Sequence, residues 1–225
     1  MNYDNSKFLD EYSIENFNVL KAYAYFTKYT ALKRGNKKLG KNILNFNLPP
    51  VKSCMNSSDC SKNCYAVKSY RMYKSTKNYQ DIMQFFALND IETLEDKIIN
   101  EIEDNLKKNW FSKVIRIHSS GDFITQNYLN MWVKIASKFK DVKFYGYTKV
   151  DHILNFDNLP TNLNIISSYV NNKLNFGPHE YISKLRAESK GIICSPTRGK
   201  NLTCEECKYC FYKIFDKKKT VFIQH

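Results

Sequence analysis

Apolar positions along the chain change period several times, and each change predicts an element. Phe17, Leu20, Ala24 and Phe26 line one face, which predicts a helix within residues 1–40. The basic run 33–41, broken by Gly35 and Gly40, predicts a loop. Residues 42–54 carry Ile43, Leu44, Phe46 and Leu48 and then Pro49-Pro50, the pattern of a short strand followed by an extended loop. After Cys64, the spacing of Tyr65, Lys68, Met72 and Tyr79 is nearly helical. A second helix is expected to be capped by Thr93, with Asp96 three residues on, and to bury Ile98, Ile99, Ile102 and Leu106. Val114, Ile115 and Ile117 read as a buried strand that stops at Ser119-Ser120-Gly121-Asp122. Residues 125–139 read as a helix whose core side holds Tyr128, Leu129, Trp132, Ile135, Ala136 and Phe139. Further strands are expected at 142–149, 162–170, 191–196 and 219–225, with one helical turn at 152–156 and a short helix at 179–190.

Strands that alternate with helices argue for parallel pairing through right-handed crossovers. The expected fold class is α/β: a partial (β/α) barrel with a mostly parallel sheet of about six strands, because a complete barrel usually takes ~250 residues and this chain has 225. Residues 1–41 read as a helical and basic extension, 42–193 as the barrel core, and 194–225 as a cysteine-rich metal clip with a final strand. With 43% hydrophobic and 15% aromatic residues the chain can bury a core, which excludes global disorder. Its apolar runs are too short for a transmembrane helix, and its first residues lack the layout of a signal peptide. A cytoplasmic location with reduced thiols is expected. The net charge of +13 points to an acidic partner such as nucleic acid. A Lys-, Asn-, Ile- and Tyr-rich composition, as from an AT-rich genome, produces the same charge, and the basic residues are spread along the chain.

The cysteines sharpen this picture. All seven fall into two groups: Cys54, Cys60 and Cys64, then Cys194, Cys204, Cys207 and Cys210. Clustered cysteines in a reducing compartment point to metal rather than disulfides. Four thiolates close a tetrahedral site, whereas three leave a position open for a ligand. The first group, spaced C-x5-C-x3-C in a Ser- and Asn-rich loop, suits a [4Fe–4S] cluster with one iron free of protein ligands. A three-cysteine zinc site completed by His118 is the alternative. The second group suits a second cluster or a structural zinc.

In parallel α/β folds, sites form at the C-terminal ends of the strands. The first cysteine loop, the 119–122 turn, Tyr147-Thr148-Lys149 and Cys194 all stand at expected strand ends. Gly121 permits close approach of a ligand. Asp122 suits an ammonium or hydroxyl group, or a helix cap. Lys149 suits a carboxylate or phosphate.

Four segments together, LPPVKSC with its following cysteines and CYA, RIHSSGDF, FYGYTK and the late cysteines, resemble the phage and prophage "gene product 88" family over about residues 42–212. That resemblance implies carriage on a phage or another mobile element. More distantly the chain resembles radical S-adenosylmethionine (SAM) enzymes. These carry three cysteines after the first strand of a partial barrel, and they bind SAM on the open iron and at a glycine-rich acidic motif after the second strand. The resemblance implies that Cys54, Cys60 and Cys64 hold the reactive cluster, that Ser119, Ser120, Gly121 and Asp122 help to bind SAM, and that SAM is reductively cleaved. It further implies an auxiliary-cluster role for the late cysteines. The spacing departs from the usual C-x3-C-x2-C, and Tyr65 follows the last cysteine instead of an aromatic residue preceding it. Two other classes remain open: a zinc-stapled nucleic-acid-binding protein, and an iron–sulfur redox protein without SAM chemistry.

Overall fold

The computed structural model describes residues 12–13, 17–55, 60–151, 153–170, 172–194, 201–213 and 220–223. Its main sheet has the order β1 (Lys33–Arg34), β2 (Leu44–Phe46), β3 (Val114–Ile117), β4 (Lys143–Thr148) and β5 (Leu163–Ser167). Only the β1–β2 pair is antiparallel. Register explains the sequence pattern. Leu44, Ile115, Phe144 and Leu163 lie side by side across the sheet, and the next row is Asn45, Arg116, Tyr145 and Asn164. Successive rows point to opposite faces. The apolar row enters the main core, and the polar row looks the other way.

Helices cover the apolar face. They are α1 (Val19–Lys28), α2 (Tyr65–Met72), α3 (Lys74–Asn89), α4 (Ile91–Leu106) and α5 (Gln126–Lys138). Trp132 of α5 is fully buried, 5.4 Å edge-on from Phe46, and Phe26 of α1 stacks on Phe86 of α3 at 3.8 Å. Tyr12, Ala22 and Phe26 belong to the same core cluster, so the N-terminal segment is packed against the sheet's helices. Glu101 of α4 fastens it by accepting the Ala31 and Leu32 N–H groups, both at 2.7 Å.

Several expectations change in detail. The helical stretch after Cys64 breaks at Tyr73, whose backbone is extended (φ −112°, ψ 105°), giving α2 and α3. The cap of α4 is Asp90, which accepts the Thr93 N–H at 3.2 Å, so Thr93 already lies in the first turn. Lys33 and Arg34, expected in a loop, form the edge strand β1. Ile153 and Leu154 form a turn on the Val150 carbonyl, and His152 lies outside the described residues.

The strands do not close into a barrel, nor do they form one sheet of about six. After β5 come a two-stranded ribbon, β6 (Tyr169–Val170) and β7 (Lys173–Leu174), and a separate parallel sheet. That sheet has the order β8 (Phe176–Gly177), β10 (Thr220–Ile223), β9 (Ile192–Ile193). Here β10 pairs along both edges, so neither of its edges can extend the main sheet. Helix α6 (His179–Ser189) adds Ile182 and Leu185 to Ile193 and Val221, a small second core. No helix among the described residues is long and apolar enough to cross a membrane.

Truncation of Trp132 to Ala removes the largest fully buried side chain between sheet and helices. A loss of about 3–5 kcal/mol is expected, read as a lower urea midpoint.

Candidate functional site

The C-terminal ends of β2, β3, β4 and β5 open on one cavity of about 350 Å³, within the size range of small-molecule sites. Cys54, Cys60 and Cys64 all line it. So do the 119–122 turn and Lys149. The second sheet supplies the facing wall through Phe176 and Phe222.

The sequence builds this mouth by stitching two loops together. Asn47, just past β2, accepts the N–H groups of Ser119 and Ser120 at 2.8 and 3.1 Å. Leu48 N–H donates to the Ser120 carbonyl at 3.0 Å, and the Ser120 hydroxyl donates to the Leu48 carbonyl at 2.9 Å. Gly121 makes the approach possible. Its φ is +89°, and a Cβ there would meet Ser53 Oγ at 2.5 Å and Leu48 Cβ at 2.7 Å. The chain then turns through Val51, at φ 68° a costly conformation for a β-branched residue. Cys60 and Cys64 flank a single 3-10 turn, Ser61–Asn63, before α2 starts. Tyr65, first in α2, donates its hydroxyl to the Ser119 carbonyl, which ties the far end of the cysteine loop to the same turn.

Residues 30–218 match the family described as Gene product 88. The chain belongs to that family. Its relatives include the Gene 88 protein of Mycobacterium phage L5, 24% identical over 177 residues, covering 67% of this chain and 74% of the relative. The Gene 88 protein of Mycobacterium phage D29 is 30% identical over 95 residues, 40% of each chain. No solved structure matches the chain. The matched segment contains both cysteine groups and the 119–122 turn.

Within this family member, Asp122 joins the strand ends. Its carboxylate accepts from Phe123 N–H, Thr148 hydroxyl and Lys149 N–H, each at 2.8 Å. It does not cap α5; Thr125 does, accepting the Tyr128 N–H at 3.1 Å. Burial raises the Asp122 pKa, and those three hydrogen bonds with the Lys149 charge pull it back. Burial also opposes the Lys149 ammonium, but charge at Cys60, Asp122 and Cys54 outweighs it and leaves its pKa raised. Burial, reinforced by Asp122, pushes the Cys54 thiol up to about 12 against the pull of Lys149. Ser120 spends its hydroxyl inside the fold, whereas Ser119 Oγ is buried with no partner.

The late cysteines serve a different neighbourhood, and none of them lines the cavity. Helix α7 (Cys204–Cys207), with a capping box between Thr203 and Glu206, docks by Cys204 N–H and Glu205 N–H on the Lys38 and Leu39 carbonyls, both at 2.9 Å. Cys210 Sγ accepts from the Tyr147 hydroxyl at 2.7 Å, and Phe211 packs on Tyr145. Burial first, then charge at Cys194 and Cys204, lift the Cys210 thiol to about 12. Cys194, Cys204 and Cys210 are thus near enough to feel one another. Yet among the described residues no three His, Cys, Asp or Glu side chains converge as a metal-ligand group. Hydrogen bonds and aromatic packing through Tyr147, Tyr145 and the 38–39 carbonyls hold this segment on the main sheet.

Sequence pattern does not single out several of the residues that line the cavity, among them Lys38, Arg116, Phe176 and Phe222. Arg116 had a signal, a cation inside the apolar strand Val114–Ile117. Sequence position offers His118 as the fourth ligand of the alternative three-cysteine zinc site. It is buried, and its Nε2 lies 2.8 Å from the Tyr128 hydroxyl, but it also lines the cavity and its φ is 63°.

Two predictions follow from this geometry. Gly121→Ala should destabilise the protein by more than the ~1 kcal/mol usual for a loop glycine, because Ser53 and Leu48 block the methyl group; thermal unfolding checks it. The second concerns pH. Burial, helped by the Arg116 charge, lowers the His118 pKa from 6.5 to about 3. The unfolded state therefore binds the proton first as pH falls. The stability held above pH 6.5 drops by about 1.4 kcal/mol per pH unit from there towards 3. Urea melts from pH 7 to 5 should show a shallower loss in His118→Gln than in the wild type.

Proposed function

We propose that this Gene product 88 family member is an iron–sulfur protein, and that it works as a radical-SAM-like enzyme of a phage or mobile element. The observation that carries this reading is that Cys54, Cys60 and Cys64 line one cavity at the strand ends beside Lys149 and Asp122. The donor set fits the group. The three sulfurs are free thiols on one loop, and Lys149 favours charge on Cys54 and Cys60. They share a wall without converging, as expected of ligands that gather when metal binds.

A cluster on three thiolates leaves one iron open and supplies single-electron chemistry to a small molecule bound there. The chain's own residues do the rest. Cys54, Cys60 and Cys64 hold the cluster. Asp122, kept in place by Thr148 and two backbone N–H groups, takes the ammonium of SAM, and Ser119 Oγ is free to hydrogen-bond to it. Lys149 takes a carboxylate. Phe176 and Phe222 give the cavity an apolar wall, and the Tyr65 hydroxyl ties the start of α2 to the 119–122 turn. In this reading the open sheet with helices on one face is a partial barrel, and Cys194, Cys204, Cys207 and Cys210 form an auxiliary site for iron or zinc. The seven free thiols suit a reducing cytoplasm.

The test is anaerobic purification with reconstitution, iron and sulfide analysis, and absorption and EPR spectra with and without SAM. At least about four iron atoms per chain are expected, with a spectrum that SAM perturbs. Serine at Cys54, Cys60 or Cys64 should abolish the SAM-sensitive signal. Asp122→Asn should weaken the SAM effect while iron is retained. A reconstituted wild type that holds zinc alone would sink the proposal.

A further inference from the structure

Arg116 carries a charge that no carboxylate among the described residues pairs. It stands in β3 on the face away from the helices, with its guanidinium over the rings of Tyr145 and Tyr147, 5.8 and 5.3 Å from their centres. Its Nε is buried without a hydrogen-bond partner. No carboxylate among the described residues forms an ion pair with it. A guanidinium withdrawn from water without an anion is costly, and such groups mark sites completed by a ligand.

Its neighbours make the deficit larger. Lys38 reaches the same cavity from the loop after β1. Among the described residues that line the cavity, the carboxylate is Asp122, which stands by Lys149 and already accepts three hydrogen bonds. Two more polar atoms on the wall are buried and unpaired, His118 Nδ1 and Ser119 Oγ. His118 Nε2 is engaged with the Tyr128 hydroxyl, and in the tautomer in which that hydroxyl donates, Nδ1 carries the imidazole proton and is a donor.

We propose that the cavity binds a phosphate-class oxyanion of the substrate on Arg116 and Lys38, with His118 Nδ1–H and Ser119 Oγ–H as further donors. Two cations and two neutral donors suit a group with several charged oxygens better than a single carboxylate. A guanidinium held flat by two rings offers its fork to two such oxygens at once. The proposal rests on the reading above only in taking this cavity as the reaction site; it needs no iron.

The test measures binding of inorganic phosphate, a nucleoside 5′-monophosphate and citrate by calorimetry at constant ionic strength, with iron and zinc assayed in the same samples. Saturable binding of both phosphate probes to the wild type is expected, with or without iron. Arg116→Gln should weaken it by about tenfold or more, and Arg116→Lys should restore only part, because lysine lacks the fork. Lys38→Met, on a loop outside the sheet, gives an independent loss should Arg116→Gln fold poorly. Equal binding to the wild type and both variants overturns the proposal. So does binding of citrate alone, which makes the ligand a carboxylate. Absent phosphate binding, joined with metal loss from Arg116→Gln, overturns it too and makes Arg116 the counter-ion of the late thiols. Iron that stays while phosphate binding goes separates this site from the cluster.

Discussion

The contact between the chain after β2 and the chain after β3 governs the rest of the site. Parallel strands deliver their ends to one side of a sheet, but they do not by themselves join the loops that follow. Here Asn47 bridges two consecutive N–H groups, and Leu48 and Ser120 exchange backbone and hydroxyl bonds. Gly121 lets the two backbones close to a distance that any side chain would prevent. The cysteine loop departs from this junction at Pro49 and returns to it through the Tyr65 hydroxyl. Polar contacts made outside the loop therefore hold the two ends between which the three cysteines lie.

Around that junction the sheet has two unlike faces. The helix side is a continuous apolar and aromatic core that supplies most of the buried area. The other side carries Asn45, Arg116, Tyr145 and Asn164 in one row, which is too polar to pack against a helix. The C-terminal segment covers it instead, with Asn164 donating to the Cys210 carbonyl at 2.7 Å and Phe211 lying on Tyr145. A cavity survives because this cover is a thin segment and a small sheet.

Much of this was legible in the residues. The apolar strands, the core side of α5 and the α4 stripe of Ile98 and Ile102 follow from periodicity alone, and the structure buries them. The placing of the cysteine loop, the 119–122 turn and Lys149 at one mouth follows from the rule for parallel strands. What escaped depended on contacts distant in sequence. Nothing near Asp90 distinguishes it from Thr93 as a cap until the α3–α4 turn is seen. The separation of β8, β9 and β10 from the main sheet depends on β10 pairing on both edges, which a strand pattern does not encode. The left-handed backbone of His118, which stands just before the 119–122 turn, leaves no mark in composition.

Charge gives the last step. Buried charges in proteins are tolerated when they are paired, and in this molecule the pairing divides the cavity into two neighbourhoods. Lys149 feels Asp122, Cys54 and Cys60, and its charge is held by them. Arg116 and Lys38 feel the tyrosines and the late thiols, and they repel each other. The first neighbourhood is self-consistent without a ligand, whereas the second is not. Arg116 and Lys38 line the cavity together, and no carboxylate among the described residues is ion-paired to Arg116, an arrangement that a bound oxyanion would complete. Since both neighbourhoods share one wall, such an oxyanion would hold the rest of its molecule beside the three early cysteines.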